Sequence, residues 1–152
     1  MQKSGDFKWW VPITFSDPDT GFDNTYNNKL WLKPEDKYLK ITELLPATDI
    51  PVIFNVQQTG YYRVNYDKKN WRLIADQLNR DHTKIHVINR AQLLDDAFNL
   101  AKSGMLDYET ALSLTSYLSK ETEYIPWSAA LTGLSYVNKM LKRTSAYGDF
   151  RR

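Results

Sequence analysis

Asn55-Val56-Gln57-Gln58-Thr59-Gly60-Tyr61-Tyr62-Arg63-Val64-Asn65-Tyr66-Asp67 passes from an alternating, β-type pattern into helix-forming sequence within one residue. Up to Asn65 the side chains sort with period two: Tyr62, Val64 and Tyr66 share one face, Tyr61, Arg63 and Asn65 the other. Arg63 therefore falls at the seam between the two architectures, where its planar fork could hold the junction. From Asp67, a suitable N-cap, Trp71, Ile74, Ala75 and Leu78 recur at i, i+3, i+4 and i+7, which predicts a helix ending near Asn79.

Upstream, Trp9 to Phe15 reads as a strand closed by the turn-rich Ser16-Asp17-Pro18-Asp19-Thr20-Gly21. Further strands are expected at Lys29–Leu32, stopping at Pro34, at Tyr38–Ile41, at Val52–Asn55, and at Tyr61–Asn65 after a turn at Thr59-Gly60. Downstream, a second helix runs from Val87 to Ser103, with Gly104 as its left-handed C-cap. A third is expected from Asp107 to Lys120, and a fourth after Ile125 with Pro126 in its first turn and Trp127, Ala130, Leu131, Leu134, Val137 and Leu141 as its stripe. The fold class is thus α+β by segments: an antiparallel β-sandwich part, then antiparallel helix pairs of the kind that open an α-solenoid. No sequence repeat relates the pairs, and a stack ending at Phe150 would expose one apolar face.

The 152 residues include 42% apolar side chains, enough to bury a core. Twenty basic and 18 acidic residues are spread along the chain, which leaves no one-signed field to draw nucleic acid or anionic lipid. The absence of cysteine removes disulfides, thiol catalysis and thiolate-bound zinc together. The polar start is read as carrying no secretory signal, and no apolar run reaches the ~18 residues that span a bilayer.

Candidate chemistry is sparse. His82 and His86 have the i, i+4 spacing of a zincin helix, but Thr83 and Lys84 follow where a general-base Glu belongs, so they are read as ordinary histidines. Asp95 and Asp96 are adjacent, project about 100° apart on a helix and form no facing acid–base pair. Arg90 lies five residues before Asp95, so its partner is expected on another element. Ser113, Ser116 and Ser119 have no histidine near enough in sequence to activate them. Gly60 and Gly104 read as turn and cap, not as a phosphate loop. The aromatics Trp9, Trp10, Trp31, Tyr61, Tyr62, Tyr66, Trp71 and Trp127 are read mainly as core and inter-domain packing.

The junction stretch, with Trp10-Val11-Pro12-Ile13-Thr14-Phe15 before it and Asn89-Arg90-Ala91-Gln92-Leu93-Leu94-Asp95-Asp96-Ala97-Phe98 after it, resembles the zinc aminopeptidase N family, most closely the insect midgut type. Tyr-Leu-x-x-Glu at 117–121 and Tyr-Ile-Pro-Trp at 124–127 fit the same pattern. The resemblance implies two parts: residues 1–66, an incomplete β-sandwich domain beginning after its first strands, and residues 67–152, the first helices of the C-terminal helical domain. One departure is Pro51, where the family has Trp before its Val-Ile-x-Asn strand; proline should make that strand start late or lie at an edge.

The family's Gly-Ala-Met-Glu-Asn motif and His-Glu-x-x-His helix are not in these residues. No catalytic, cofactor-binding or metal-ligating residue is therefore assigned. The resemblance implies a non-catalytic segment of an enzyme that removes N-terminal amino acids from peptides, with zinc held elsewhere in the parent. The parent would lie at the extracellular face of the plasma membrane, and this segment's partners would be the zinc-binding domain and the remaining helical domain. The alternative is a stand-alone binding module with a protein- or toxin-binding surface.

Overall fold

The computed structural model describes residues 8–17, 21, 30–41 and 49–150. The first of them form short ladders. β1 (Val11–Ile13) pairs antiparallel with β3 (Leu30–Leu32), with Pro12 opposite Trp31. β2 (Phe15–Ser16) pairs antiparallel with β4 (Ile53–Phe54), with Phe15 opposite Phe54. The expected first strand is thus two strands split at Thr14. Its backbone carbonyl accepts from Asn55 N at 2.8 Å and its hydroxyl from Val56 N at 2.9 Å. The start of the second strand, Lys29, and Pro18 to Thr20 of the turn lie outside the described residues. β4 begins two residues after Pro51, as a missing ladder donor dictates.

Two expected strands are not formed. Tyr38–Ile41 is irregular and mostly exposed, with Tyr38 standing well into solvent. Residues 61–66 keep their alternation of outward and inward side chains but join no ladder. Their backbone and side chains bond instead to what lies beneath: Val64 N donates to the Asp96 carboxylate, Tyr62 Oη to Pro12 O and Asn65 Nδ2 to Met105 O. For the Val64 N–H a side-chain carboxylate stands in for a neighbouring strand.

The helices are α1 (Lys68–Asp81), α2 (Val87–Lys102), α3 (Tyr108–Ser113), α4 (Tyr124–Leu141) and α5 (Tyr147–Phe150). Asp67 and Asp107 cap α1 and α3 by accepting from Asn70 N and Thr110 N. Gly104 takes φ +77°, and Gly104 N to Ala101 O with Met105 N to Leu100 O closes α2 in the two-bond pattern of a left-handed C-cap. The helix expected over 107–120 is broken. α3 ends at Ser113 and a 3-10 turn covers Ser116–Lys120. Between them the hydroxyls of Ser113, Thr115 and Ser116 each bond a carbonyl three residues back, the local competition that interrupts helices. The short α5 has no counterpart in the sequence reading.

α2 is the central helix, buried on most sides, and packs chiefly against α4 and then α3. α1 faces α3 and the 3-10 turns at 82–84 and 116–120. Gly133 of α4 explains the close α2–α4 approach, because a Cβ there would stand 2.3 Å from the Phe98 ring. The α1 stripe Trp71, Ile74, Ala75 and Leu78 is buried as its period requires. The α4 stripe is only partly so: Ala130 and Val137 are buried, whereas Leu131 is 58% exposed. Ile53 of β4 joins the helical core, and Asn70 of α1 brackets Val52 through both its N–H and its carbonyl. Residues 51–66 are thereby bound to the helices as much as to the strands.

Several aromatics read as core or inter-domain packing lie on the surface of this chain. Trp9 is 69%, Trp10 56% and Trp31 47% exposed, and Tyr61 is fully so. Trp10 and Trp31 meet edge-on at 6.4 Å, on a two-stranded sheet over which no second layer is described. Tyr66 and Trp71 do form core, ring edge to ring face at 4.9 Å.

Candidate functional site

The junction presents an open cleft of about 460 Å³ lined by Gln58 to Arg63 and by Asp95 and Asp96 of α2. Asp96 ends a polar stripe on α2. Asn89, Gln92 and Asp96 follow at helical spacing, so one face of α2 carries three buried polar side chains toward the backbone of 54–64. Asn89 Oδ1 accepts from Gln57 N at 2.8 Å, and its Nδ2 donates to Gln92 Oε1 at 2.7 Å. Asp96 accepts from Val64 N at 3.1 Å. The connection between strands and helices is hydrogen-bonded rather than greasy, which fixes its register.

Arg63 sits at the seam, as its strand face required. Its Nη1 reaches Asp95 Oδ2 at 2.5 Å and Asp96 Oδ1 at 2.9 Å. The two aspartates do not face one another, yet both carboxylates converge on one guanidinium nitrogen. Asp95 is also anchored by Asn99 Nδ2. With cation and anions paired to one another, the cleft positions groups and offers no nucleophile with an activating base.

Arg90 has its partner 31 residues away. Its Nε and Nη2 grip Glu121 Oε2 and Oε1 at 2.6 and 3.0 Å, and its Nη1 donates to Ile85 O at 2.7 Å. Both side chains are buried. Glu121 Oε1 also accepts from Thr122 N and Glu123 N just before α4, a helix whose N-cap residue makes no side-chain bond of its own. The Glu121 carbonyl receives the Trp127 indole N–H. One carboxylate therefore ties α2, the 116–120 turn and the start of α4. Glu121 stood in the Tyr-Leu-x-x-Glu pattern, which was the available signal of this role.

The two histidines do not share a helix face. His82 lies in the 3-10 turn 82–84, its ring 5.7 Å from that of Tyr117. His86 is the N-cap of α2, its Nδ1 accepting from Ile88 N. With one imidazole nitrogen engaged and Thr83 and Lys84 in place of a general base, these residues do not fit a zinc site. Among the described residues no cluster of three His, Cys, Asp or Glu side chains could hold a metal. Ser113 and Ser116 bond backbone carbonyls, and Ser119 is exposed.

The carboxylates respond to acid with opposite signs. Burial pushes Glu121 up, but the Arg90 hydrogen bond and the Glu123 N–H outweigh it and hold the carboxyl below its ordinary range. Its stability contribution is present above the unfolded value and lost as pH falls through the lowered one. Burial raises Asp96, and Val64 N–H and Arg63 only partly offset it. Its charged form costs stability as pH rises from the unfolded value through the raised one. Urea unfolding from neutral pH down to about pH 3 should show a flatter acid limb in Glu121→Gln and a steeper one in Asp96→Asn.

The sequence pattern of the ERAP1-like C-terminal domain matches residues 51–152, from β4 through the last helix. The chain belongs to the ERAP1-like C-terminal domain family. It is 44% identical over 146 residues to aminopeptidase N of Plutella xylostella, covering 94% of this chain and 15% of that protein. Aminopeptidase N of Rattus norvegicus is 40% identical over 146 residues, covering 96% of this chain and 14% of that protein. The thyrotropin-releasing hormone-degrading ectoenzyme of Homo sapiens is 37% identical over 150 residues, covering 97% and 14%. The likeness to the aminopeptidase N family read from the sequence holds, and the chain spans about 15% of the length of such a relative. The family match takes in the whole junction, with its Asn89, Gln92 and Asp96 stripe.

Proposed function

We propose that this chain is a non-catalytic segment of a zinc-dependent aminopeptidase that removes N-terminal amino acids from peptides, and that it cleaves nothing alone. The observation that carries this is the family match over 51–152, in a sequence whose two histidines serve a turn and a helix cap. Residues 1–66 would supply sandwich strands and 67–152 the opening helices, with 51–66 bonded to both. The zinc-binding domain and the rest of the helical domain are its proposed partners. Leu131 and Met140 on α4 and the Trp10–Trp31 edge are apolar surfaces such partners could cover. Peptide substrates, bound zinc and a place at the extracellular face of the plasma membrane belong to the parent in this reading. No helix among the described residues is long and apolar enough to cross a membrane.

The flanking coding sequence tests the reading. An in-frame His-Glu-x-x-His motif upstream supports it; a complete upstream reading frame without one overturns it.

A further inference from the structure

The backbone between β4 and the cleft is strained. Asn55, Gln57 and Gln58 have φ of 57°, 52° and 54°, three left-handed residues of which none is glycine. Asparagine tolerates this region by bonding locally, and Asn55 does so through Gly60 N, Gly60 O and Tyr62 O. The glutamines have no such preference. Gln57 is held from below, where its N–H enters the fully buried Asn89 of α2. Val56 is buried beside it, its N–H on the Thr14 hydroxyl. On the outer side Gln58 and Thr59 are exposed and form one wall of the cleft. Unfavourable backbone angles are thus held from beneath: Asn89 accepts from Gln57 N and donates to Asn55 O, and Thr14 accepts from Asn55 N and Val56 N.

We propose that residues 55–60 form a strained strap that opens and closes locally over the cleft, with Asn89 as its catch. The helices stay folded while it opens, because the strap's hold on α2 is side-chain to backbone and no helical hydrogen bond has to break.

Amide hydrogen exchange on the 152-residue chain tests this. The Gln57 amide should exchange at least about tenfold faster than that of Leu94 in the middle of α2. Asn89→Ala removes the bonds to Gln57 N, Asn55 O and Gln92 Oε1; loss of the one that covers the Gln57 amide should speed Gln57 by about a further tenfold and leave Leu94 relative to global unfolding unchanged. Gln58→Gly, at an exposed position, should slow Gln57, because glycine takes the left-handed angle without strain. Equal exchange at Gln57 and Leu94 in the unaltered chain would overturn the proposal, and so would faster exchange at Gln57 in Gln58→Gly.

Discussion

Arg90→Ala is expected to cost about 3–5 kcal/mol, because it leaves the Glu121 carboxylate buried without its cation. The loss is not that of one contact. Arg90 also donates to Ile85 O, and Glu121 receives the two N–H groups that lead into α4, so the pair joins three elements. For a chain of this size the midpoint of thermal unfolding should fall by roughly 10–15 °C. Glu121→Ala should be as damaging, since a guanidinium is then buried with nothing to neutralise it. The apolar pair Arg90→Met with Glu121→Leu should recover much of the loss, because desolvation of both charges is removed with the attraction. Urea midpoints of the three variants check this. A double variant no better than either single one would show that the bonds to Ile85 and to the start of α4 matter more than charge pairing.

Trp71→Ala should cost a similar ~3–5 kcal/mol through a different mechanism, the cavity left by a large buried ring. Trp71 packs edge to face with Tyr66, and its indole N–H donates to Asn65 Oδ1. Tyr66 Oη in turn accepts from Phe54 N, so the indole props the linker against β4. Trp71→Phe keeps most of the ring volume and loses the hydrogen bond, and should cost about 1 kcal/mol for that bond plus a smaller cavity. Chemical denaturation of both variants separates the two contributions. Near-equal losses would place the energy in the bond to Asn65 and not in packing.

What the sequence disclosed depended on whether the controlling interaction was local. Asp67, Asp107 and Gly104 were legible because a cap bonds within its own turn. The α1 stripe was legible because one apolar face meets one core. Arg63 was placed at the seam by alternation alone. The same alternation misled over Tyr61–Asn65, where period two survived but Val64 N found its acceptor in Asp96 of α2, not in another strand. Gln57 and Gln58 gave no hint of their left-handed angles, in a segment whose Gln57 N is held by Asn89 and whose Val56 N is held by Thr14, 32 and 42 residues away. The expected third helix ignored hydroxyls that bond their own backbone. The exposed tryptophans show the limit of composition: aromatic strand residues are core only where something covers them.

We propose that this segment of an aminopeptidase-like chain carries no catalysis of its own. The most direct measurement is hydrolysis of an aminoacyl-nitroanilide by the purified 152-residue chain, with added zinc and with a chelator. No hydrolysis above background is expected under either condition. Hydrolysis that zinc supports and the chelator abolishes would contradict it, and would require a metal site made from residues that here serve as a helix cap, a turn and paired charges.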